Sequence, residues 1–245
     1  MGISSLPALI IVHQTVIATH RPPLVQTKLS NDVISPPLSI QPLDLNSRLQ
    51  AITVKILAGK EIIGSGTIWR SLKGRIQVIT NSHVLVAQKQ PLFVQTADGQ
   101  VYPAQVVTPV NWDNLDLAKL QFRAKRNYPI AKIDRTLNLK VGTTVLAAGF
   151  PKTSSSLTIE QGAVTHILNK PLAEGYQVGY SSAVVKGMSG GPLIDQEGTL
   201  VGINGIHAEP LWDAAETFAD GTVVKEPLLS EIGEASWAIP VYHLE

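Results

Sequence analysis

Short runs in which apolar and polar residues alternate recur along most of the chain. Between residues 51 and 57, isoleucine and valine at every second position alternate with Thr53 and Lys55. Successive side chains of a β-strand point to opposite faces, so a period of two is typical of a half-buried strand. Further strands are predicted near residues 62–69, 76–80, 92–96, 101–107, 115–122, 144–149, 157–168, 176–183 and 199–203.

Turn-forming residues separate these runs. Lys73-Gly74 and Asp98-Gly99 lie between consecutive runs, and an Asp-Gly pair is a strong hairpin signal. Gly64-Ser65-Gly66 interrupts one run and indicates a bulge or a close backbone contact. Helical patterns are weak and confined to residues 82–88 and 211–218. Short strands at regular spacing therefore favour an all-β sandwich or a pair of barrels.

The first 45 residues differ from the rest of the chain. Repeated prolines between residues 22 and 42 favour an extended leader, so we expect the compact domain over residues 46–245. The apolar run at residues 6–19 is too short to span a membrane as a helix. It is either an N-terminal strand or the remnant of a signal or anchor, and any membrane association is expected only through it.

Composition limits the partners more than the fold. The 245 residues carry 20 Lys and Arg against 19 Asp and Glu, which excludes the basic surface typical of nucleic-acid binding. There is no cysteine, and hence neither a disulfide framework nor a thiolate zinc site. Seven acidic residues and a single lysine fall within residues 207–234. We interpret this stretch as a solvated surface insertion; the alternative is a loop beside the cleft that selects basic substrates or binds a cation.

Ser189 is the strongest candidate for a nucleophile. It lies in Gly187-Met188-Ser189-Gly190-Gly191, where glycines let the backbone adopt positive φ and approach a ligand closely. A serine hydroxyl is a poor nucleophile at neutral pH, so a histidine and a carboxylate must accompany it. The same residues fit the nucleophile elbow of α/β-hydrolases, but that elbow requires a following helix, and Pro192 argues against one.

His83 and Asp116 are the candidate partners of this serine. His83 follows the apolar run at residues 76–79, at a strand end where a rigid barrel holds a base firmly. Asp116 stands on an otherwise apolar strand, and burying its charge costs several kcal/mol unless a partner such as an imidazole N–H offsets it. Asp113 is the alternative carboxylate, but it lies in a polar loop and needs no special partner.

Three motifs resemble those of trypsin-like serine proteases, in the same order along the chain. They are Thr80-Asn81-Ser82-His83-Val84, Asp116-Leu117-Ala118 and Gly187-Met188-Ser189-Gly190-Gly191-Pro192-Leu193. Ala148-Gly149-Phe150-Pro151 and Trp237-Ala238-Ile239-Pro240 resemble the bacterial HtrA/Deg-type branch more than the animal digestive enzymes. The resemblance implies an all-β fold of two six-stranded antiparallel β-barrels of chymotrypsin type, over about residues 46–135 and 136–245, with the active site between them.

The resemblance also implies the chemistry, a serine endopeptidase that forms an acyl-enzyme intermediate on polypeptide substrates. Ser189 attacks the peptide carbonyl, His83 takes its proton, and Asp116 holds the imidazole. The backbone N–H groups of Gly187 and Ser189 form the oxyanion hole, and neither a metal nor an organic cofactor is required. Trypsin-type zymogens carry an aspartate where Met188 stands, so we expect no activation by cleavage and insertion of a new N-terminus.

In this family the primary specificity pocket is lined by residues just before the nucleophile and by the strand that follows it. Here these are Ala183, Val184, Val185, Asn204, Gly205, Ile206 and His207. No acidic residue occupies the expected floor near Ala183, so we expect cleavage after small or medium apolar residues. The alternative is an acidic side chain, as in glutamyl endopeptidases, if Asn204 or His207 makes the pocket polar.

Two other functions stay open at this stage. A catalytically inactive barrel pair would act as a binding or chaperone module, and a membrane-tethered structural protein would use residues 6–19. Members of the HtrA-type branch usually carry a PDZ domain after the protease domain, and we expect none within a sequence that ends five residues after Pro240. The resemblance implies an extracytoplasmic location, periplasmic or secreted, and leaves the oligomeric state undetermined.

Overall fold

Fourteen strands and three short α-helices make up the described part of the chain in a computed structural model. The structure describes residues 44–86, 91–107, 114–133, 135–136, 139–206 and 217–244. The predicted leader, including the apolar run at residues 6–19, lies almost entirely outside them. This predominance of strands confirms the all-β prediction, and no helix among the described residues is long and apolar enough to cross a membrane.

Seven strand segments form a first, nearly closed barrel. They are β1 (Thr53–Ala58), β2 (Glu61–Leu72), β3 (Arg75–Thr80), β4 (Leu92–Gln95), β5 (Val101–Pro103), β6 (Gln105–Val106) and β7 (Ala118–Arg123). Their spatial order is β5-β4-β1-β2-β3-β7-β6. Because β5 continues into β6 after Ala104, the two segments act as one bent strand that bonds β4 on one side and β7 on the other.

The remaining strands form a second barrel. They are β8 (Lys132–Ile133), β9 (Thr144–Gly149), β10 (Thr158–Ile167), β11 (Val178–Tyr180), β12 (Pro192–Asp195), β13 (Thr199–Ile206) and β14 (Ser236–Pro240). The order β12-β9-β10-β11-β14-β13 closes into a six-stranded ring because β12 also pairs with β13. The short β8 adds to β13 in parallel. The double barrel predicted by the resemblance is therefore confirmed.

The helices are α1 (Leu45–Ile52), α2 (Ser82–Leu85) and α3 (Leu228–Glu234). Helix α1 was not predicted, and the predicted strand began inside it, because Ile52 continues the alternation of β1. Asp44 caps this helix by accepting the Ser47 N–H at 2.8 Å. The acidic stretch at residues 207–234 is only partly a loop, because its last residues form α3. Ile232 of this helix is buried in a cluster that also includes Leu146 and Trp237 of the second barrel. Residues 207–216 lie outside the described residues.

Buried apolar side chains form three clusters. Each barrel interior is filled by one cluster, represented by Ile56 in the first barrel and Leu193 in the second. The third cluster includes Ile79 of β3, Leu146 of β9 and Trp237 of β14, together with the buried faces of α1 and α3. A contiguous cluster shared by both sheets holds the two barrels in one packing arrangement. Loops that lie where the two barrels meet are therefore attached to strands that are packed together.

Candidate active site

Strand pairing explains why His83 and Asp116 meet. β3 and β7 are antiparallel, and Thr80 at the end of β3 lies opposite Ala118 at the start of β7. Residues just after β3 are therefore adjacent to residues just before β7. His83 lies in α2 immediately after β3, and Asp116 lies two residues before β7. Asp113, the alternative carboxylate, lies outside the described residues.

The Asp116 carboxylate is 2% exposed and is surrounded by donors. Its Oδ1 accepts the backbone N–H of His83 at 2.8 Å and the Ser82 hydroxyl at 2.6 Å. Its Oδ2 lies 2.5 Å from Nδ1 of His83 and accepts the Tyr176 hydroxyl, also at 2.5 Å. Burial alone would raise the pKa of Asp116, but the hydrogen bond and charge of His83, with the hydroxyls of Ser82 and Tyr176, hold this pKa below its usual range.

The main chain of Asp116 is held from both barrels. Its backbone carbonyl accepts the Asn81 side-chain amide at 2.8 Å, a contact within the first barrel. Its backbone N–H donates to the carbonyl of Glu174 at 2.9 Å, a contact with the segment that leads into β11 of the second barrel. The carboxylate of Asp116 is thus oriented by side chains that contact it, and the backbone of Asp116 is held by one residue from each barrel.

Ser189 lies in the turn before β12 and is 9% exposed. Its hydroxyl donates to the carbonyl of Gly205 at 3.1 Å, and within the part of the chain that the structure describes it makes no hydrogen bond to His83. The His83 side chain is 49% exposed, so the face of the imidazole away from Asp116 is open. Catalytic hydrogen bonds are often long or unmade before substrate binds, and rotation about one serine torsion changes the direction of this hydroxyl.

The loop before the serine presents two backbone donors. The Lys186 carbonyl accepts the Lys152 N–H at 2.9 Å, and in a trans peptide the next N–H, that of Gly187, points the opposite way. Among the described residues, neither the Gly187 N–H nor the Ser189 N–H donates to a protein acceptor. The two predicted oxyanion donors are therefore available to a negatively charged oxygen near the serine.

Only glycine fits position 187. Its φ is +102°, and a Cβ there would lie 2.5 Å from the carbonyl oxygen of Phe150 and 2.6 Å from the nitrogen of Lys152. The residue after it, Met188, is fully buried in the cluster that fills the second barrel. This segment is therefore held by apolar packing at Met188, the position where trypsin-type zymogens carry an aspartate.

The residues predicted for the specificity pocket have different surroundings. Val184 is buried in the second barrel, whereas Ala183 and Val185 are exposed. Asn204 is fully buried: its Oδ1 accepts the Tyr180 hydroxyl at 2.9 Å, and its Nδ2 donates to two backbone carbonyls at 3.2 Å. Its side chain is therefore committed to holding strands together. Gly205 and Ile206 end β13, and His207 lies outside the described residues.

Sequence reasoning missed Tyr176 and Glu174, which the structure brings to Asp116. Tyr176 is 60 positions from Asp116 along the chain, so no local pattern links them. Glu174 has a φ of +61°, uncommon for a residue other than glycine. Partial burial, and then repulsion from Asp116, raises the pKa of its carboxyl, and His83 partly offsets this. One signal was available for Tyr176, because a tyrosine in a predicted core strand needs a partner for its hydroxyl.

No group of three or more metal-ligating side chains converges anywhere in the described ranges. The site built by His83, Asp116 and Ser189 consists of a base, a carboxylate and a hydroxyl, with backbone donors beside the hydroxyl. This set of groups is suited to acyl transfer through a serine nucleophile.

Comparison with known proteins agrees with this chemistry. A family model described as a trypsin-like peptidase domain matches residues 64–203, which contain all three motifs. A Do-like HtrA serine protease of Bacillus subtilis is 34% identical over 151 residues, 58% of this chain and 32% of that protein. The periplasmic serine endoprotease DegP of Salmonella typhimurium is 32% identical over 58% of this chain and 29% of its own length. Serine protease HTRA1 of Xenopus laevis is 30% identical over 52% of this chain and 28% of its own length. The matched region spans about a third of each relative.

Proposed function

The chain belongs to the trypsin-like peptidase family, and from this premise we propose that it is a serine endopeptidase acting through an acyl-enzyme intermediate. The observation that carries the proposal is the buried Asp116 carboxylate held 2.5 Å from His83 Nδ1. The imidazole offsets part of the cost of burying this charge, and the same contact orients His83 as a base.

The proposed first step is proton transfer coupled to attack. Because Asp116 accepts a hydrogen bond from Nδ1–H, the neutral ring of His83 keeps its proton there and leaves Nε2 free as a base. The Ser189 hydroxyl turns from the Gly205 carbonyl to Nε2, gives up its proton, and its oxygen bonds to the peptide carbonyl carbon. His83 then protonates the departing amine, and water repeats the sequence to release the acid.

The Gly187 and Ser189 N–H groups stabilise the oxygen that becomes negative during attack. Each donor of this type contributes about 3 to 4 kcal/mol to the transition state in related sites. The bond between the Lys186 carbonyl and the Lys152 N–H supports this role, because it keeps the Gly187 N–H on the opposite side of the peptide plane.

We propose cleavage after small or medium apolar residues. Gly205 brings no side chain to the strand beside the serine, and residues 183–185 are alanine and valine. The polar atoms of Asn204 are enclosed and already bonded, which removes one of the two groups on which recognition of an acidic side chain would depend. A cleavage profile on a mixed peptide library tests this preference, and dominant cleavage after Glu or Asp would overturn it.

The proposed substrates are polypeptides, and the proposed location is extracytoplasmic, either periplasmic or secreted. One relative is named a periplasmic endoprotease, and the sequence resembles the same branch. Fractionation of the native host, with the chain detected by antibody, tests the location.

A binding or chaperone module without peptidase activity is the second candidate. It is favoured by one observation, the hydrogen bond of the Ser189 hydroxyl to Gly205 instead of to His83. In such a module the serine would stay in this orientation and show no unusual reactivity.

Labelling with a fluorophosphonate separates the two candidates. An endopeptidase is expected to be modified stoichiometrically at Ser189, and the reaction should disappear in His83→Ala. His166→Ala is the matched control, because that histidine of β10 pairs with Glu231 of α3 at 3.0 Å and should leave labelling unchanged. Absence of labelling in the folded wild-type chain would favour the binding module.

A further inference from the structure

Tyr176 is almost completely buried, yet its hydroxyl reaches the carboxylate that holds His83. The side chain is 1% exposed, and its hydroxyl donates to Asp116 Oδ2 at 2.5 Å. That oxygen is the same one that faces His83 Nδ1. Tyr176 lies two residues before β11 of the second barrel, whereas Asp116 belongs to the first barrel. This hydrogen bond therefore joins the two barrels at the catalytic carboxylate.

The segment around Tyr176 also holds the backbone of Asp116. The Glu174 carbonyl accepts the Asp116 N–H at 2.9 Å. Gly175 has a φ of +89°, and a Cβ there would lie 2.2 Å from Leu115 Cδ2, so the segment passes directly against the residue before Asp116. Residues 174–176 of the second barrel therefore contact both the side chain and the main chain of the aspartate, in addition to its partners in the first barrel.

Gly205 provides the space that Tyr176 occupies. A Cβ at Gly205 would lie 2.1 Å from the Tyr176 hydroxyl oxygen and 2.3 Å from its Cε1. The Tyr176 ring therefore lies where a side chain at position 205 would point. The carbonyl of Gly205 in turn accepts the Ser189 hydroxyl at 3.1 Å. Tyr176 consequently contacts both the residue that orients the base and the residue that holds the nucleophile at rest.

We propose that Tyr176 is a positioning residue for the triad, which fixes the orientation of the Asp116 carboxylate and draws part of its negative charge away from His83. The inference rests on the proposed peptidase function. Donation to Oδ2 spreads the charge of the carboxylate over a further hydrogen bond, so the carboxylate attracts the imidazolium less strongly. The tyrosine remains a donor at working pH, since burial and the adjacent Asp116 raise the pKa of Tyr176 well above its usual value.

The ionisable groups that act on this carboxylate in the described residues are His83, Tyr176 and Glu174. Loss of the tyrosine hydroxyl would leave the carboxylate with one donor fewer. The protonated state of His83 would then be favoured more strongly, and a base that stays protonated to higher pH delays the onset of activity. The acidic limb of the kcat/KM profile should therefore move to higher pH.

Tyr176→Phe in the full chain tests the proposal with a readout that loss of stability does not move. We expect kcat for a cleaved peptide to fall about 10-fold or more, the effect of losing a hydrogen bond to a charged group, with KM unchanged. We also expect the acidic limb to shift upward. Tyr180→Phe is the control, because that equally buried tyrosine donates to Asn204 at 2.9 Å and not to the triad. An unmoved acidic limb in folded Tyr176→Phe, or an equal shift in Tyr180→Phe, would overturn the proposal.

A second measurement separates this proposal from the proposed function. The NMR titration of the His83 ring protons reports the His83–Asp116 pair whether or not the chain turns over a substrate. We expect the midpoint to move upward in Tyr176→Phe and not in Tyr180→Phe, and an unmoved midpoint would refute the role of Tyr176 even if labelling succeeds. If Tyr176→Phe does not fold, Gly205→Ala displaces the hydroxyl without deleting it and should shift the midpoint in the same direction.

Discussion

The two halves of the site are held by different kinds of interaction. On the first barrel, His83 and Asp116 are fixed by hydrogen bonds between side chains and a buried charge. On the second barrel, the Ser189 turn is fixed through its backbone by hydroxyl groups of the first barrel. Ser65 donates to the Gly187 carbonyl at 2.7 Å, and Thr67 donates to the Gly190 carbonyl at 3.1 Å.

In both halves, a candidate catalytic group of one barrel is contacted by a hydroxyl of the other. The Asp116 carboxylate of the first barrel accepts the Tyr176 hydroxyl of the second, and the serine turn of the second barrel accepts the Ser65 hydroxyl of the first. The activity that depends on the His83–Asp116 pair should change when hydrogen-bond donors are removed or the pH is changed. The activity that depends on the Ser189 turn should change when atoms are added to the turn or its backbone conformation is altered. The following changes test that contrast, from the largest expected effect to the smallest.

Asp116→Asn removes the charge of the first half and should have the largest effect. The amide cannot both accept from Nδ1–H and keep the other bonds of a carboxylate, so the imidazole loses its tautomer and orientation. We expect kcat to fall about 10⁴-fold with the fold intact. Steady-state kinetics and circular dichroism measure both quantities. Asp98→Asn, in the exposed Arg126 ion pair, should leave kcat unchanged; an equal loss there would show that the effect is not local.

Gly187→Ala adds one carbon to the backbone half. The positive φ and the contacts with Phe150 and Lys152 force the loop to move and turn the N–H away, so kcat should fall about 10²- to 10³-fold. Gly142→Ala is the matched control, because Gly142 has a similar φ of +88° but nothing within 4 Å of a new Cβ. It should lower the free energy of unfolding by about 1 kcal/mol, because an L-residue is strained at positive φ, and leave kcat unchanged. If both variants lose activity equally, backbone strain and not the oxyanion donor is responsible.

Ser65→Ala removes the hydroxyl that connects the two halves. The hydroxyl donates to the Gly187 carbonyl and accepts the Phe150 N–H at 2.8 Å, so its loss leaves two buried backbone groups without partners. We expect a loss of about 2 to 3 kcal/mol in the free energy of unfolding, together with a smaller fall in kcat. Urea denaturation measures the first. Ser71→Ala, at an exposed position of the same strand, should change the free energy of unfolding by less than about 0.5 kcal/mol.

Glu174→Gln should have the smallest effect, and its sign depends on pH. Burial and repulsion from Asp116 raise the pKa of Glu174 above its unfolded value, so the ionised form opposes folding once the pH exceeds the folded pKa. The variant should therefore melt slightly higher than the wild type at neutral pH, by about 1 to 2 °C for such a partly exposed group. Below the unfolded pKa the carboxyl is neutral in both states and the difference should vanish. Melting curves between acidic and neutral pH measure it, and a variant that melts lower at neutral pH contradicts the prediction.

Local patterns in the sequence located most of the strands and indicated a candidate chemistry. Alternation with a period of two located most strands, because a half-buried strand exposes every second side chain whatever it packs against. His83, Asp116 and Ser189 were predicted as a group because a nucleophilic serine requires a base and a buried carboxylate requires a partner; their catalytic roles stay predictions. The start of β1 was wrong, because Ile52 fits both a strand and the buried face of α1.

The residues that hold the site in place could be identified only from the tertiary structure. Tyr176 and Asp116 are separated by 60 positions and lie in different barrels, so only the closure of one barrel against the other brings the hydroxyl to the carboxylate. The same packing commits the Asn204 side chain to backbone carbonyls, although its position in the sequence suggested a substrate contact. The sequence shows which residue types are present and how they are spaced. Which of them form hydrogen bonds between distant segments is determined by the packing of the two barrels.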